Sequence, residues 1–230
     1  MKMNIKKNIA DYLEQKKYNI RTDMCRLFES NKTDKSTWHN YTTIYNELFS
    51  KFINKNINFF ELGIGSNNED IEGFMGKNAR PGASLYAFRE YFKNANICGA
   101  DIDDRILFDD TGIWTFYVDQ TDSESIKNLW NSFEDTKFDI IIDDGLHDYD
   151  ANITFFENSI DMLENGGIYI IEDILENQKS KFADYFSSLD HSLSFILELP
   201  MTQEWANSHN QKDCKGIINT FDNNLGIIIK

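Results

Sequence analysis

Short apolar runs alternate with amphipathic stretches along most of this sequence, a pattern typical of a parallel sheet with helices on both faces. The last two apolar runs, with the turn signal Asp222-Asn-Asn224 before the second, predict an antiparallel hairpin. We therefore predict an α/β fold, with a doubly wound, seven-stranded, mostly parallel (Rossmann-like) sheet, an antiparallel C-terminal hairpin and N-terminal helices. The predicted strands cover residues 58–62, 97–101, 114–118, 138–143, 167–172, 193–199 and 225–229.

Helical spacing marks the segments between these strands. Tyr41, Ile44 and Tyr45 share one face of a helix predicted over residues 41–52. A capping box at 121–124 begins a second helix, and residues 152–163 predict a third that stops at the left-handed signal 165–167. Apolar positions in residues 1–30 also have helical spacing, so we expect a helical appendage over 1–35 and a main domain over 36–230.

Composition narrows the classes of partner. The chain has 230 residues with 23 Lys+Arg against 38 Asp+Glu, a net charge of −15, which disfavours nucleic acid and anionic membrane as partners. Its 18 Phe residues and 14% aromatic content indicate a globular protein with a full core. We see no apolar run long enough to cross a bilayer and no signal peptide. Cys25, Cys98 and Cys214 lack metal-ligand spacing and predict reduced thiols in a cytoplasmic protein.

A glycine loop follows the first predicted strand. Gly63 and Gly65 allow the backbone to approach a ligand closely. A dinucleotide fingerprint would need a third glycine where Asn68 stands and a helix starting at once, whereas the next helical pattern begins near Ser84, so dinucleotide binding is disfavoured. Asp101, at the end of the second strand, has a carboxylate that can accept both hydroxyls of a ribose. A tight turn without a ligand is the alternative.

The segment FDIIIDDGLH combines a buried strand with two acids, a glycine and His147, and the next strand ends in Glu172-Asp173. Neighbouring strands lie about 4.8 Å apart and their carboxyl ends open into one crevice, so Asp144, Glu172 and Asp173 are expected to gather around one point. Their mutual repulsion requires a proton or a cation, and an all-oxygen set favours Mg²⁺ over zinc. Glu172 and Asp173 can both take part only if the chain turns between them. Helix capping by these acids is the alternative.

The glycine loop followed by an acid after the second strand resembles the class I S-adenosylmethionine-dependent methyltransferases. The resemblance implies that the domain over 36–230 binds this donor, with the glycine loop under its methionine part and the Asp101 carboxylate on its ribose. Asp119 and Gln120 match the position beside the adenine, although a helix cap is the alternative for Asp119. The donor-binding residues implied in this way are Glu61, Gly63, Gly65, Ser84, Asp101, Asp119, Gln120 and Asp143.

The segment DDGLH, with IED ending the next strand, resembles the metal-dependent sugar O-methyltransferases of the macrocin and mycinamicin type. This resemblance implies Asp144, Glu172 and Asp173 as Mg²⁺ ligands and His147 as the general base. Two further segments are similar to that group: TDKSTWHNYTTIY, over residues 33–45, and RPGASL, over residues 80–85. The chain departs from the group at Leu146, where a small residue is commoner, and has no room for the group's large N-terminal domain.

We therefore expect an S-adenosylmethionine-dependent, Mg²⁺-dependent O-methyltransferase. Its acceptor is expected to be a small molecule, a sugar or nucleotide-linked sugar of bacterial (for example capsular) polysaccharide or natural-product biosynthesis. The alternatives are methylation of a nitrogen or of a phosphate-bearing precursor, and a nucleotide-binding module without catalysis. Neither nucleic acid nor membrane is an expected partner, and a homo-oligomer is possible because the N-terminal helices are rich in aromatic residues.

Overall fold

A computed structural model of the chain describes residues 21–189, 193–208 and 223–230. Several sequence features fall outside these ranges: the apolar positions of residues 1–20, Cys214 and the turn residue Asp222. Within the described residues the strands are β1 (Asn56–Leu62), β2 (Asn94–Asp101), β3 (Asp109–Asp110), β4 (Ile113–Tyr117), β5 (Phe138–Asp143), β6 (Leu163–Ile171), β7 (Leu193–Glu198) and β8 (Asn224–Ile229). The α-helices in the same part of the chain are α1 (Asp23–Ser30), α2 (Tyr41–Phe49), α3 (Ala83–Tyr91), α4 (Ser123–Asn131), α5 (Tyr149–Ser159), α6 (Lys179–Ser187) and α7 (Gln203–Ser208).

All the described strands form one sheet, in the order β3-β4-β2-β1-β5-β6-β8-β7. The five strands from β4 to β6 in this order are parallel, whereas β8 runs antiparallel to both β6 and β7. The chain moves outward from β1 to β4, then returns and continues through β5 and β6, so β1 and β5 flank the point where the strand order reverses. Ligands of open α/β sheets bind at such a point. The predicted doubly wound sheet with its antiparallel hairpin is confirmed.

The predicted number of strands was wrong by one. Asp109 and Asp110 form a two-residue antiparallel pairing with β4, and both are exposed. Because an exposed acidic pair has no apolar periodicity, the sequence pattern gives no sign of this edge strand.

The boundary between the third helix and its strand also differs from the prediction. α5 ends at Ser159, a 3₁₀ turn covers Ile160–Met162, and β6 already begins at Leu163. Gly166 does have a left-handed φ of 83°, but it lies within β6, where the pairing with β5 shifts register. Gly166 therefore marks an irregularity within a strand. A left-handed glycine is also common just after the end of a helix, so the sequence alone does not distinguish the two cases.

The core has two layers, one on each face of the sheet. Adjacent residues of β1 show the division, because Phe59 packs with the layer of α1, α2 and α3, and Phe60 packs with that of α4, α5 and α6. The rings of Phe28 in α1 and Phe88 in α3 meet edge to face at 4.8 Å, so the described part of the predicted appendage shares the main core. The domain boundary at residue 35 stays a prediction. None of the described helices combines the length and the apolar character that crossing a bilayer requires.

Gly63 determines how closely the loop after β1 can approach the loop after β5. Gly63 has a φ of +80°, and its N–H donates to the Ala100 carbonyl at 2.8 Å. A Cβ at this position would lie 1.9 Å from the carbonyl oxygen of Asp144. Only glycine therefore lets the loop after β1 pass against the loop after β5.

We expect Gly63→Ala to unfold or strongly destabilise the protein, by more than about 4 kcal/mol in the free energy of unfolding, because backbone rather than a flexible side chain blocks the added methyl. Gly166→Ala is the matched control, since Gly166 has the same φ sign but nothing within 4 Å of its Cβ position. That control should cost only about 1–2 kcal/mol. Urea denaturation measures both, and equal losses in the two variants would contradict this account of Gly63.

Candidate active site

A cavity of about 580 Å³ opens at the carboxyl ends of the parallel strands, beside the reversal between β1 and β5. It brings the glycine loop, the acid after β2 and the acidic segments after β5 and β6 into one space, as the sequence predicts. The loop before α2 supplies another part of the wall. The predicted site residues that line the cavity are Gly63, Gly65, Ser84, Asp101, Asp119, Gln120, Asp144, His147, Glu172 and Asp173.

Asp101 ties the glycine loop to the end of β2. Its Oδ2 accepts the Ile64 N–H at 2.9 Å, and its Oδ1 accepts the Asp103 N–H at 3.0 Å. Burial raises the pKa of Asp101, and these backbone hydrogen bonds act in the opposite direction. The carboxylate thus holds the loop while it remains in the wall of the cavity.

Two of the predicted donor-binding acids lie beneath the cavity. Glu61 is fully buried and accepts a hydrogen bond from the Ser84 hydroxyl at 2.5 Å. Asp143 is also fully buried and accepts hydrogen bonds from the Gln120 amide at 2.8 Å and the Asn152 amide at 2.9 Å. Burial raises the pKa of each to about 7. Through these hydrogen bonds the two acids hold Ser84 and Gln120 in place in the cavity wall.

Gln120 and Asp119 have different neighbours. The Gln120 Oε1 accepts the Leu146 N–H at 2.7 Å, which fixes the turn that carries His147. A Cβ on Gly145 would lie 2.2 Å from this oxygen, so the glycine of the DDGLH segment leaves room for the amide. Asp119 is half-buried and accepts the Thr121 N–H at 2.8 Å, a capping-type contact just before α4, while its side chain lines the cavity.

A lysine stands between the acids of three strands. The Lys35 Nζ lies 2.5 Å from Asp144 Oδ2, 2.7 Å from Glu172 Oε2 and 3.3 Å from Glu61 Oε1. Burial would lower the pKa of this ammonium, but the three carboxylates outweigh burial and raise it well above its usual value. Burial likewise opposes ionisation of Asp144, yet Lys35 and His147 hold its pKa at about 2.

The chain turns between Glu172 and Asp173, as it must if both side chains are to reach the same site. β6 ends at Ile171, and Asp173 has a left-handed φ of 52°. The Tyr45 hydroxyl donates to Glu172 Oε1 at 2.5 Å, and the Tyr41 hydroxyl donates to Asp173 Oδ1. Burial is the largest cause of a raised pKa in both acids.

His147 faces the same carboxylates from the turn after β5. Its Nε2 lies 3.2 Å from Asp144 Oδ1 and 3.6 Å from Asp173 Oδ2, and its φ is 57°. Burial would lower the pKa of the imidazole, but the hydrogen bond with Asp144 and the charges of Asp173 and Asp144 raise it to about 10. In this electrostatic setting the ring carries a proton at neutral pH.

The donor atoms present suit a divalent cation. Ligand atoms of Asp144, His147 and Asp173 lie within 4.8 Å of one another, as do those of Glu61, Asp144 and Glu172. The second group already surrounds Lys35, whereas the first consists of two carboxylates and an imidazole at the cavity. Predominantly carboxylate oxygen is the donor set that Mg²⁺ prefers. The residues present therefore fit the predicted metal around Asp144, which belongs to both groups.

Comparison with curated proteins finds sugar O-methyltransferases. The chain matches no protein-family model. It is 32% identical over 153 residues to the 8-demethyl-8-(2-methoxy-alpha-L-rhamnosyl)-tetracenomycin-C 3'-O-methyltransferase of Streptomyces olivaceus. The aligned region covers 66% of this chain and 37% of that enzyme. It is 31% identical over 137 residues to the mycinamicin VI 2''-O-methyltransferase of Micromonospora griseorubida, which covers 59% and 32% of the two chains.

The chain is thus similar to sugar O-methyltransferases of natural-product biosynthesis. It is also similar to the crystal structure of the MycE methyltransferase from the mycinamycin biosynthetic pathway in complex with Mg and SAH, with a TM-score of 0.56 and 28% identity over 67% of this chain and 38% of that one. Its fold is that of the class I methyltransferases. The chain spans about a third of the length of the curated relatives it matches.

The structure shows the contacts of three residues that the sequence analysis could link to the site only through the similarity of their segment to a known group. Lys35, Tyr41 and Tyr45 reach the acidic cluster from the loop before α2 and from its first turns. A signal was present, because Tyr41 and Tyr45 are four residues apart on a helix and so share a face. His39, in the same segment, pairs with the Asn223 side chain at 2.9 Å and lines the cavity.

We expect the metal-free protein to lose the stabilising contribution of His147 as pH rises. The folded pKa of about 10 lies above the unfolded value of ~6.5, so the contribution is complete below pH ~6.5 and disappears as pH passes through about 10. The unfolding free energies of the wild type and His147→Asn, measured in EDTA, should differ most at pH 6 and converge above pH 10. Asn is chosen because it tolerates a left-handed backbone. A pH-independent difference would contradict the assignment.

Proposed function

We propose that this protein is an S-adenosylmethionine-dependent, Mg²⁺-dependent O-methyltransferase whose acceptor is a sugar hydroxyl. One observation carries the proposal: a single cavity contains the glycine loop with Asp101 and, beside them, His147 facing two carboxylates. The first set suits a nucleoside with a methionine tail, and the second suits proton removal from an acceptor. The relatives named above are sugar O-methyltransferases, and MycE is described with Mg and SAH, which supports both cofactors.

The donor is held at the end of the cavity nearest β1 and β2. In this proposal Asp101 accepts the ribose hydroxyls, the loop of Gly63 and Gly65 lies under the methionine part, and Asp119 and Gln120 lie beside the adenine. The Asp101 carboxylate already accepts two backbone N–H groups, so its position is fixed before the donor arrives. This preorganisation lowers the entropic cost of orienting the sulfonium methyl.

The acceptor hydroxyl lies at the other end, within reach of His147. Its oxygen attacks the methyl carbon, the carbon–sulfur bond breaks with its electron pair going to sulfur, and the hydroxyl proton passes to the His147 imidazole. A bound divalent cation would supply the positive charge that offsets Asp144, Glu172 and Asp173 and that lowers the pKa of the acceptor. With those carboxylates offset, the imidazole is neutral at physiological pH and can accept the proton.

Exposed apolar side chains at the cavity suit a sugar acceptor. The Trp38 side chain is 42% exposed and that of Leu146 is 38% exposed, and both line the cavity together with His147. An aromatic face and an apolar side chain complement the C–H face of a sugar ring. We include nucleotide-linked sugars among the acceptors, and place the reaction in bacterial polysaccharide (including capsular) or natural-product biosynthesis.

We further propose a cytoplasmic location and a homo-oligomeric assembly. Cys25 and Cys98 are free, buried thiols, which suits a reducing compartment. Sedimentation velocity on the full chain measures the assembly, and a monomer at micromolar concentration would remove that part of the proposal.

The decisive test of the function combines donor binding with methyl transfer to a panel of sugars and nucleotide-linked sugars, detected as the mass gain of one CH₂. His147→Asn should bind the donor as the wild type does but lower turnover by about 10²–10⁴-fold, the range for loss of a general base. EDTA should abolish turnover of the wild type, and Mg²⁺ should restore it. Full activity of His147→Asn would refute the base, and full activity in EDTA would remove the metal.

Two further results would favour the alternatives. Donor binding without transfer to any acceptor in the panel would favour a nucleotide-binding module. Methylation of a nitrogen or a phosphate-bearing group, located by fragmentation of the product, would replace the sugar hydroxyl as the acceptor.

We expect Asp101→Asn to weaken donor binding by at least about tenfold, since an amide cannot accept hydrogen bonds from both ribose hydroxyls and still serve both backbone N–H groups. Asp104→Asn is the control, because Asp104 is exposed and lies three residues further along the same loop. Isothermal titration with S-adenosylhomocysteine measures both. Equal affinity in the two variants would contradict the role of Asp101.

A further inference from the structure

The loop between β1 and α3 forms part of the cavity wall. Its segment 66–75 has its two ends together, because the Met75 N–H donates to the Ser66 carbonyl at 2.9 Å. Phe74 and Met75 line the cavity and are 37% and 51% exposed. The Met75 Cγ lies 3.3 Å from the position that a Cβ on Gly65 would take. Loop 66–75 therefore lies directly against the glycine loop and presents apolar side chains to the cavity.

We propose that Asp103 and Arg105 are positioning residues that hold loop 66–75 over the methionine part of the methyl donor and so slow its release. The inference rests on the proposed function for the identity of the donor. Neither residue lines the cavity, so each acts through the loop. A loop held in this way keeps water from the sulfonium and lengthens the time that the donor stays bound.

Asp103 links loop 66–75 to the residue proposed to bind the ribose. Its N–H donates to Asp101 Oδ1 at 3.0 Å. Its Oδ2 accepts the Ser66 hydroxyl at 2.5 Å and the Asn68 side-chain amide at 2.7 Å. The Asp103 side chain is 1% exposed. Lifting the loop would therefore take two hydrogen bonds from a buried carboxylate, which is costly.

Arg105 joins the same carboxylate to the outer part of the loop. Its Nε donates to Asp103 Oδ1 at 2.6 Å, while its Nη1 and Nη2 donate to the two carboxylate oxygens of Asp70 at 3.2 and 3.1 Å. The hydrogen bond from Arg105 is the largest cause that holds the pKa of Asp103 well below its usual range. A planar guanidinium offers this fixed fork between two carboxylates, and an ammonium does not.

The two contacts of Arg105 differ in their access to solvent. The Asp70 side chain is 69% exposed and that of Arg105 is 46% exposed, so water screens their ion pair and the pair alone contributes little. The contact with Asp103 involves a buried carboxylate and is the stronger of the two. Removing Asp70 should therefore loosen only the outer part of the loop, whereas removing the guanidinium loosens both attachments.

The competing explanation is that this network only stabilises the fold. In that case its loss lowers the melting temperature of the protein, but the donor leaves the folded protein at an unchanged rate. A positioning role predicts instead that the donor leaves faster. The rate constant for dissociation of the donor therefore separates the two explanations.

The test measures dissociation of S-adenosylhomocysteine from the full chain by surface plasmon resonance. We expect dissociation from Arg105→Met to be at least about tenfold faster than from the wild type, the effect of losing a charged hydrogen bond. We expect about a threefold increase for Asp70→Asn, which changes an exposed residue and so keeps the test valid if Arg105→Met does not fold. The double variant should release the donor no faster than Arg105→Met, because Asp70 acts through the guanidinium.

Lys77→Met is the matched control, because it removes the exposed lysine of another ion pair on the same connection, with Glu69 at 3.0 Å. It should release S-adenosylhomocysteine as the wild type does. Dissociation at the wild-type rate from Arg105→Met or from Asp70→Asn would overturn the proposal, as would a double variant that is faster than Arg105→Met.

Hydrogen exchange on the ligand-free protein tests the hold on the loop without the donor. Amides of loop 66–75 should exchange at least about tenfold faster in Arg105→Met than in Lys77→Met, with the strands unchanged. Equal exchange in the two variants would overturn the proposal. Failure of the wild type to bind S-adenosylhomocysteine would refute the proposed function and the positioning role together, whereas wild-type binding with unchanged dissociation rates in the variants would refute the positioning role alone.

Discussion

Burial of charge at the carboxyl end of the sheet is the constraint on which the rest of the site depends. Glu61, Asp144 and Glu172 come from the ends of three adjacent strands; Glu61 and Glu172 have almost no access to solvent, and the Asp144 side chain is 22% exposed. Taking ions out of water costs several kcal/mol each, and removing one partner of a buried pair typically costs about 3–5 kcal/mol. The Lys35 ammonium, which contacts all three acids, offsets part of this cost.

The helical layer formed by α1 and α2 follows from the same constraint. The loop between these helices must hold Lys35 against the strand ends, and the tyrosines of α2 must reach the adjacent carboxylates. The aromatic packing of Phe28, Phe49 and Phe88 anchors both helices to the sheet. The segment before the sheet is therefore part of the site as well as part of the core.

Much of the fold and of the site could be predicted because both arise from local patterns. Buried parallel strands are read from continuous apolar runs, and the convergence of Asp144 with the acids after β6 follows from the adjacency of strands β5 and β6. The position of Lys35 could not be read in this way, since its partner Asp144 lies 109 residues away and a polar loop has no periodicity. Nor could Gly166, because a left-handed glycine looks the same in sequence at a helix stop and inside an irregular strand.

The order of strands has a consequence for the synthesis of the chain. β8 lies between β6 and β7, and all six of its residues are buried. β7 is thus made before the only described strand with which it pairs, and β6 presents an open edge until residues 224–229 have emerged from the ribosome. Unpaired edges of this kind recruit other chains. The growing polypeptide must therefore keep two β-strands apart from foreign partners until the strand that separates them has been translated.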